Sequence, residues 1–416
     1  PPIMTTSQLQ AFIGNTHTPR IPHLPSPRLR GEKLRDNSPF ITEPSNKGLA
    51  CGGHLISSPA ALAAFLGHER LEDALHKAMP ALLQMDCPSS PVERNSRFVP
   101  FNGTLADLPF FSLPGLPLRD YLTSGIVAVG TENRGLNLSY HRMQYIDEDH
   151  LVMRVVHRHL HELLAANGGT LRASILLGVS PAIAIAAAFP APSPGKELAL
   201  AGRLLSGSDA IILLNGLHVP VQTEVVLTGT FTGETHPEGP FIDITGTCDF
   251  QRMEPVFHVE AIFTGPDAII PMILPSGAEH ALLMGLPRAV NIYSALGAHV
   301  SEMRGVALPQ GGCGWLHAVV SCESDLPPRE LAAIAFAAHP SMKRLTLVNT
   351  DIDPHDPVAV EWAVATRCQP HLDIQVIDPC PGSSLDPSAN NGLTSKWVID
   401  ATIPPDRSPD DFRKLL

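Results

Sequence analysis

The chain has 416 residues, 44% of them hydrophobic and 17% charged, a balance that excludes intrinsic disorder and leaves room for two or three domains with cores of their own. With 29 basic against 41 acidic residues the formal net charge is −12, which excludes a broad phosphate-tracking surface for nucleic acid and sends any bound anion to a local pocket. The seven cysteines are scattered, odd in number and without a CxxC pair, so they read as reduced cytosolic thiols rather than as a disulfide framework or a cysteine-built zinc site.

Taken in order, the chain opens on a proline-studded arm to about residue 39 that lacks the apolar core of a secretory signal. A capped helical turn or two is expected at 5–12, and helices at 59–67 and 71–83, which together make an N-terminal arm and small α/β domain over residues 1–100. Proline and glycine recur every few residues from 99 to 117 and mark the entry to a second domain. There the segments 125–130, 136–146, 151–156, 210–217, 221–230, 242–250 and 255–263 are β-branched or alternating and separated by turn residues, the pattern of an antiparallel barrel or sandwich over 101–280. Helices interrupt it at 159–166, closed by Asn167-Gly168-Gly169, at 180–189, and from Ser193-Pro194 to 205. A connecting helix over 281–298 leads to strands and helices in alternation (305–308, 316–321, 328–336, 344–348, 358–366, 373–377), a C-terminal α/β domain over 299–416. The Pro-, Gly-, Ser- and Asn-rich run 378–396 is expected to be a long loop. No run approaches the roughly 20 apolar residues of a membrane span.

Chemistry concentrates between residues 137 and 162, where Asn137 and Arg142 precede five histidines that begin at His141 and continue with His150, His157, His159 and His161. Read as two strands joined by a turn at Asp147, Glu148 and Asp149, the stretch sets Asn137 and Arg142 beside His157. An amide oxygen, an imidazole and a permanently charged guanidinium suit a hard metal ion with a bound anion. The HxHxH pattern alone supports a metal weakly, because a His-rich helix start is more often satisfied by solvent and carbonyls. Glu197, in the first turn of its helix, is likewise favoured by the helix dipole with no ligand at all. Glu238 and Asp243 flank a Gly-Pro kink and can converge on one substrate; without a partner they would be surface acids of a turn, but a buried Arg142 needs carboxylates.

The motifs Asn137-Leu-Ser-Tyr-His-Arg142, His157-Arg158, Glu197 within PxPGKELA, Glu238-Gly-Pro-Phe, Ile269-Ile-Pro-Met272, Thr350-Asp-Ile-Asp-Pro-His-Asp356 and Gly392-Leu-Thr-Ser-Lys396-Trp-Val-Ile-Asp-Ala-Thr402 together resemble the UbiD-type decarboxylases from about residue 45 to 402. The resemblance implies an α+β and α/β multidomain fold, with a central split β-barrel of flavin-reductase type between N- and C-terminal α/β domains. It also implies prenylated FMN, supplied by a flavin prenyltransferase, with its phosphate held through manganese (or magnesium) and with potassium nearby. By correspondence Asn137, His157 and Glu197 are the metal ligands and Lys396 the phosphate lysine. Ser139, Tyr140, His141, Arg142, Val156, Phe189 and Pro190 line the cofactor, and carbonyls near Ala188 and Phe189 serve the monovalent ion. Arg142, Glu238 and Asp243 form the catalytic network, Asp243 standing where the family commonly has glutamate and acting as proton donor.

The implied reaction is reversible, non-oxidative decarboxylation of an α,β-unsaturated, aromatic or heteroaromatic acid by a homodimer or larger homo-oligomer. Two alternatives stay open: a metal-dependent hydrolase built on His157, His159 and Glu197, and a non-catalytic flavin-binding protein.

Overall fold

The computed structural model describes residues 19–36, 38–56, 60, 63, 69, 92–93, 97–131, 135–190, 195–204 and 211–413. The turn expected at 5–12, the Ser193-Pro194 helix start and nearly all of the helices expected at 59–67 and 71–83 lie outside these residues. The chain divides into two compact units, one of Pro1–Ile242 with Cys248–His280, the other of Asp243–Thr247 with Ala281–Leu416.

The first unit is organised by one large sheet. Its strands follow the order Phe111–Leu113, Leu118–Leu122, Met143–Tyr145, His150–Met153, Arg252–Thr264, Thr223–Glu238, Thr170–Val179, Ile126–Thr131, Gly135–Tyr140, and Val99–Pro100 pairs with Arg252–Thr264. Every pairing is antiparallel, and the sheet curls into a half barrel around Val127, Met153, Ile175, Leu227 and Phe257. The curl follows from strand twist and from register shifts between the two longest strands, after Thr228 and after Phe231. The helix Pro181–Ala188 reads PAIAIAAA, apolar on every face, and is buried accordingly, with Ser180 accepting the Ile183 N–H at its start. A four-stranded sheet of Arg20–Ile21, Phe40–Thr42, Ala50–Gly53 and Ile269–Met272 completes the unit's larger sheets.

Two stretches read as single strands are each divided. Residues 136–146 form Gly135–Tyr140, which pairs with Ile126–Thr131, and Met143–Tyr145, which pairs with Leu118–Leu122 and His150–Met153. The break falls at His141 and Arg142, where the His141 N–H donates to the Gly125 carbonyl at 3.0 Å and the Arg142 carbonyl accepts from the Arg154 N–H at 3.2 Å. The apolar positions change phase across the break, from Leu136, Leu138 and Tyr140 to Met143 and Tyr145, a signal that the single-strand reading passes over. Residues 242–250 likewise form Phe241–Ile242 and Cys248–Asp249, folded back on each other across the turn 243–247.

The second unit carries a sheet in the order Glu302–Ala307, His317–Glu323, Arg344–Val348, Leu393–Asp400, Ile374–Pro381. Its three inner strands run parallel and its edges antiparallel. The helix Pro328–Ala338 packs Leu331, Ala332 and Ala335 against Ala318, Val320 and Val398. Pro357–Arg367 packs Val360 and Ala363 with Val319, Val348 and Ile399, whose side chains alternate to the other face. This is the α/β domain expected from the alternating pattern. The loop expected over 378–396 is confined to 382–392, because both its ends extend as strands; Pro379 and Pro381 are tolerated on an edge strand.

Two histidines in this fold are buried in the neutral form. His141 faces the Arg154 carbonyl through Nδ1 at 2.8 Å and His339 the Trp315 carbonyl through Nε2 at 2.8 Å. Burial pushes His141 down to about 4 and His339 down to about 3. Since the unfolded chain takes up these protons near pH 6.5, each contributes stability that is present above that value and lost as pH falls toward its folded pKa. Between pH 6.5 and 4, His141 alone accounts for about 3 kcal/mol. Urea unfolding of His141→Asn across this window is expected to show a shallower acid loss than the parent; an unchanged pH slope would contradict the assignment.

Candidate active site

Arg142 sits at the strand break and its side chain is 9% exposed. Its Nε donates to Glu238 Oε1 and its Nη2 to Glu238 Oε2, both at 2.9 Å, a bidentate pair. Nη2 also reaches Asp249 Oδ2 at 2.9 Å, and the guanidinium lies 4.3 Å from the centre of the Phe241 ring. Glu238, fully buried at the end of the strand Thr223–Glu238, takes a further hydrogen bond from the Tyr121 hydroxyl at 2.7 Å. Burial and the Glu238 charge push the Tyr121 hydroxyl well above the ordinary tyrosine range, so it remains a donor. Gln144 accepts the Gly239 N–H at 3.1 Å and Gln251 donates to the Gly239 carbonyl at 3.2 Å, fixing the backbone beyond Glu238.

Asp249 is the residue that the sequence reading missed. Burial works to raise its carboxyl, yet hydrogen bonds from Arg252 and Arg142 hold it below the usual carboxylate range; Arg252 Nη1 lies 2.7 Å from its Oδ1. The available signal was Asp243-Ile-Thr-Gly-Thr247: a glycine among turn-forming residues breaks the strand and returns Asp249 opposite Phe241. Asp243 opens that turn. Its N–H donates to the Thr247 carbonyl at 3.1 Å, its carbonyl accepts from Gly246 at 2.8 Å, and its Oδ1 accepts from the Ile244 N–H at 2.7 Å.

A second group assembles on the strand Gly135–Tyr140, against which the helices Pro181–Ala188 and Lys196–Leu204 pack. Asn137 is 1% exposed and Glu197 is 3% exposed. The Glu197 carboxylate accepts from the Gly195 N–H at 3.0 Å and from the Leu138 N–H, which brings it beside Asn137. Burial pushes Glu197 up to about 7 against the pull of these bonds. Nδ2 of the Asn137 amide is buried without a hydrogen-bond partner, an arrangement that ordinarily costs stability. An ion beside this pair would relieve both: the amide turned to present its oxygen is a hard ligand, and a cation favours ionised Glu197.

His157 lies on the exposed turn after the strand His150–Met153, its ring stacked on His161 at 4.1 Å. Among the described residues, His157, His159 and Glu197 are not a set of donors within 4.8 Å of one another.

The other residues expected to bind the cofactor have surroundings of their own. Ser139 Oγ lies 2.9 Å from His141 Nε2, and since His141 Nδ1 faces a carbonyl, Nε2 is the acceptor. Tyr140 is half-buried, its hydroxyl pushed up by burial and by Glu279. Val156 is 44% exposed, Phe189 is buried where the helix Pro181–Ala188 ends, and Pro190 is half-buried. In the second unit, buried Lys396 donates to the Pro340 carbonyl and sits 4.9 Å from the Phe336 ring centre. Burial lowers its pKa.

Comparison with known proteins matches the 3-octaprenyl-4-hydroxybenzoate carboxy-lyase Rift-related domain (UbiD) over residues 89–278 and the C-terminal domain of the same family over 281–401. The anhydromevalonate phosphate decarboxylase of Methanocaldococcus jannaschii is 41% identical over 292 residues, 68% of this chain and 69% of that protein. Its counterpart in Methanosarcina mazei is 42% identical over 305 residues, 71% and 70% of the two chains. Among solved structures, the UbiD-class enzyme HmfF from Pelotomaculum thermopropionicum, in complex with FMN, matches with a TM-score of 0.89 at 25% identity, over 99% of this chain and 96% of that one. The 3,4-dihydroxybenzoic acid decarboxylase of Enterobacter cloacae shares the fold, with a TM-score of 0.84 at 21% identity over 100% and 98% of the chains. On the strength of both family domains and of these relatives, the chain belongs to the UbiD family of carboxy-lyases.

Proposed function

We propose that this chain uses prenylated FMN to remove carbon dioxide, without net oxidation, from an α,β-unsaturated, aromatic or heteroaromatic acid. Within that class the anhydromevalonate phosphate of its relatives is the preferred candidate. Mevalonate that has lost water across the bond next to its carboxylate is an unsaturated acid, so this substrate falls inside the class. The observation that carries the reading is the buried Arg142, gripped in two-point fashion by Glu238 and steadied by Asp249.

When bound, prenylated FMN supplies the electron sink for the charge left behind as carbon dioxide departs. Arg142 orients the substrate carboxylate, and its fixed plane removes the reorganisation that a free side chain would require. Glu238 and Asp249 hold that plane, and Tyr121 holds Glu238. Asp243 returns a proton to the carbon that has lost carbon dioxide. Asn137, His157 and Glu197 would hold manganese or magnesium, through which the cofactor phosphate is anchored; two oxygen donors and an imidazole suit these ions.

Co-expression with a flavin prenyltransferase in manganese-supplemented medium, followed by a carbon dioxide assay over a panel of unsaturated and aromatic acids, tests the reading. Release from anhydromevalonate phosphate is expected to lead the panel, and a flavin-loaded protein inert toward every acid would contradict it. Glu238→Gln is expected to lower kcat by on the order of 10²–10³. Asp249→Asn removes one bond to a charged group, worth about 1.5–3 kcal/mol, and is expected to cost ten- to a hundredfold. Asp243→Asn should abolish deuterium incorporation into product while flavin stays bound; full activity in that variant would remove the proton-donor role.

A further inference from the structure

The turn that leads into the strand His150–Met153 carries a second set of ligand-bearing side chains that decarboxylation does not use. His150 stands directly opposite His258 in the antiparallel register, so both rings project from the same face of the sheet, 5.0 Å apart between centres. Asp149 adds a carboxylate whose Oδ1 is 2.7 Å from His150 Nδ1 and whose Oδ2 is 3.7 Å from His258 Nε2. One donor atom from each of the three residues lies within 4.8 Å of the other two. The backbone beneath them is pinned: the Asp149 carbonyl accepts from the Val259 N–H at 2.7 Å, and Asp147 Oδ1 accepts from the His150 N–H at 2.8 Å.

We propose that Asp149, His150 and His258 form a surface site for a borderline transition-metal ion, with zinc(II) the expected occupant, which staples the two strands together. Two imidazoles and one carboxylate suit zinc, cobalt or nickel, whereas manganese and magnesium prefer the oxygen-dominated set at Asn137 and Glu197. A tetrahedral ion with bonds near 2.0–2.1 Å needs donor separations of roughly 3.3 Å; His150 Nδ1 lies 2.7 Å from one Asp149 oxygen and His258 Nε2 3.7 Å from the other. The ion would displace any proton on the coordinating nitrogens, as metal binding to imidazole requires, and water fills the fourth position. Asp147, 3.0 Å from the same His150 nitrogen, is placed to orient that ring or to enter the coordination sphere. All three proposed ligands are partly exposed, so the ion can enter from solvent. This site is independent of the flavin chemistry proposed above.

Cobalt(II) titration of the chelator-treated full chain, followed by visible absorption, tests the proposal because low-symmetry nitrogen–oxygen coordination gives ligand-field bands that aqueous cobalt lacks. One equivalent is expected to give these bands, with zinc displacing it and raising the melting temperature of the parent chain. The bands and the zinc-dependent shift should be lost in His258→Gln and in Asp149→Asn, and should survive in Glu197→Gln. A parent chain without the bands, or bands unchanged in His258→Gln, would overturn the site; bands lost in Glu197→Gln but kept in His258→Gln would assign the cobalt to the other cluster and overturn it equally.

Discussion

Taking a guanidinium out of water costs several kcal/mol unless carboxylates meet it in the plane of its N–H groups, and much of the first unit is arranged around meeting that requirement at Arg142. The strand Thr223–Glu238 extends far enough to end on Glu238. The short hairpin of Phe241–Ile242 with Cys248–Asp249 returns a second carboxylate and lays an aromatic ring against the guanidinium. Tyr121, from a strand on the other side of the Met143–Tyr145 segment, donates a second hydrogen bond to the Glu238 oxygen that accepts from Arg142 Nε. Removing Arg142 would leave Glu238 buried without a counter-charge, and removing Glu238 would leave Arg142 with Asp249 alone, so the cluster is held as a unit. Such rigidity is what orientation of a substrate carboxylate demands, because binding energy then goes into positioning and not into ordering the site.

The Asn137–Glu197 pair follows the opposite logic. Arg142 is satisfied by the chain itself, whereas Asn137 keeps a buried amide group with no partner and Glu197 is pushed toward its neutral form by burial. A bound cation would offset both costs, and two helices pack on the strand that carries Asn137.

How far these features could be read in advance depends on the range of the interactions behind them. The C-terminal sheet was legible because strands and helices alternate there and each buries a local stripe; the strand at Arg344–Val348 has the limits that its hydropathy suggests. The pairing of Arg142 with Glu238 was legible from chemistry, since a buried cation calls for a carboxylate. Asp249 left only a weak trace, the glycine and turn-forming residues of 243–247 set inside a stretch that otherwise has the apolar and β-branched residues of a strand. The break at His141 and Arg142 is set by hydrogen bonds to Gly125 and Arg154, and its trace in the sequence is a change of phase, with apolar side chains moving from Leu136, Leu138 and Tyr140 to Met143 and Tyr145. The exposed position of His157, stacked on His161, could not be told from spacing either, since strand and helix readings of HxHxH put different rings together.

A double-mutant cycle on kcat with Arg142→Lys and Glu238→Gln tests the central claim most directly, because it asks whether the two residues act as one device. The account predicts that the double variant is little worse than the poorer single variant, a coupling of about 1.5 kcal/mol or more. Losses that simply add would mean that the buried pair holds the fold together but does not orient the substrate, and would contradict it.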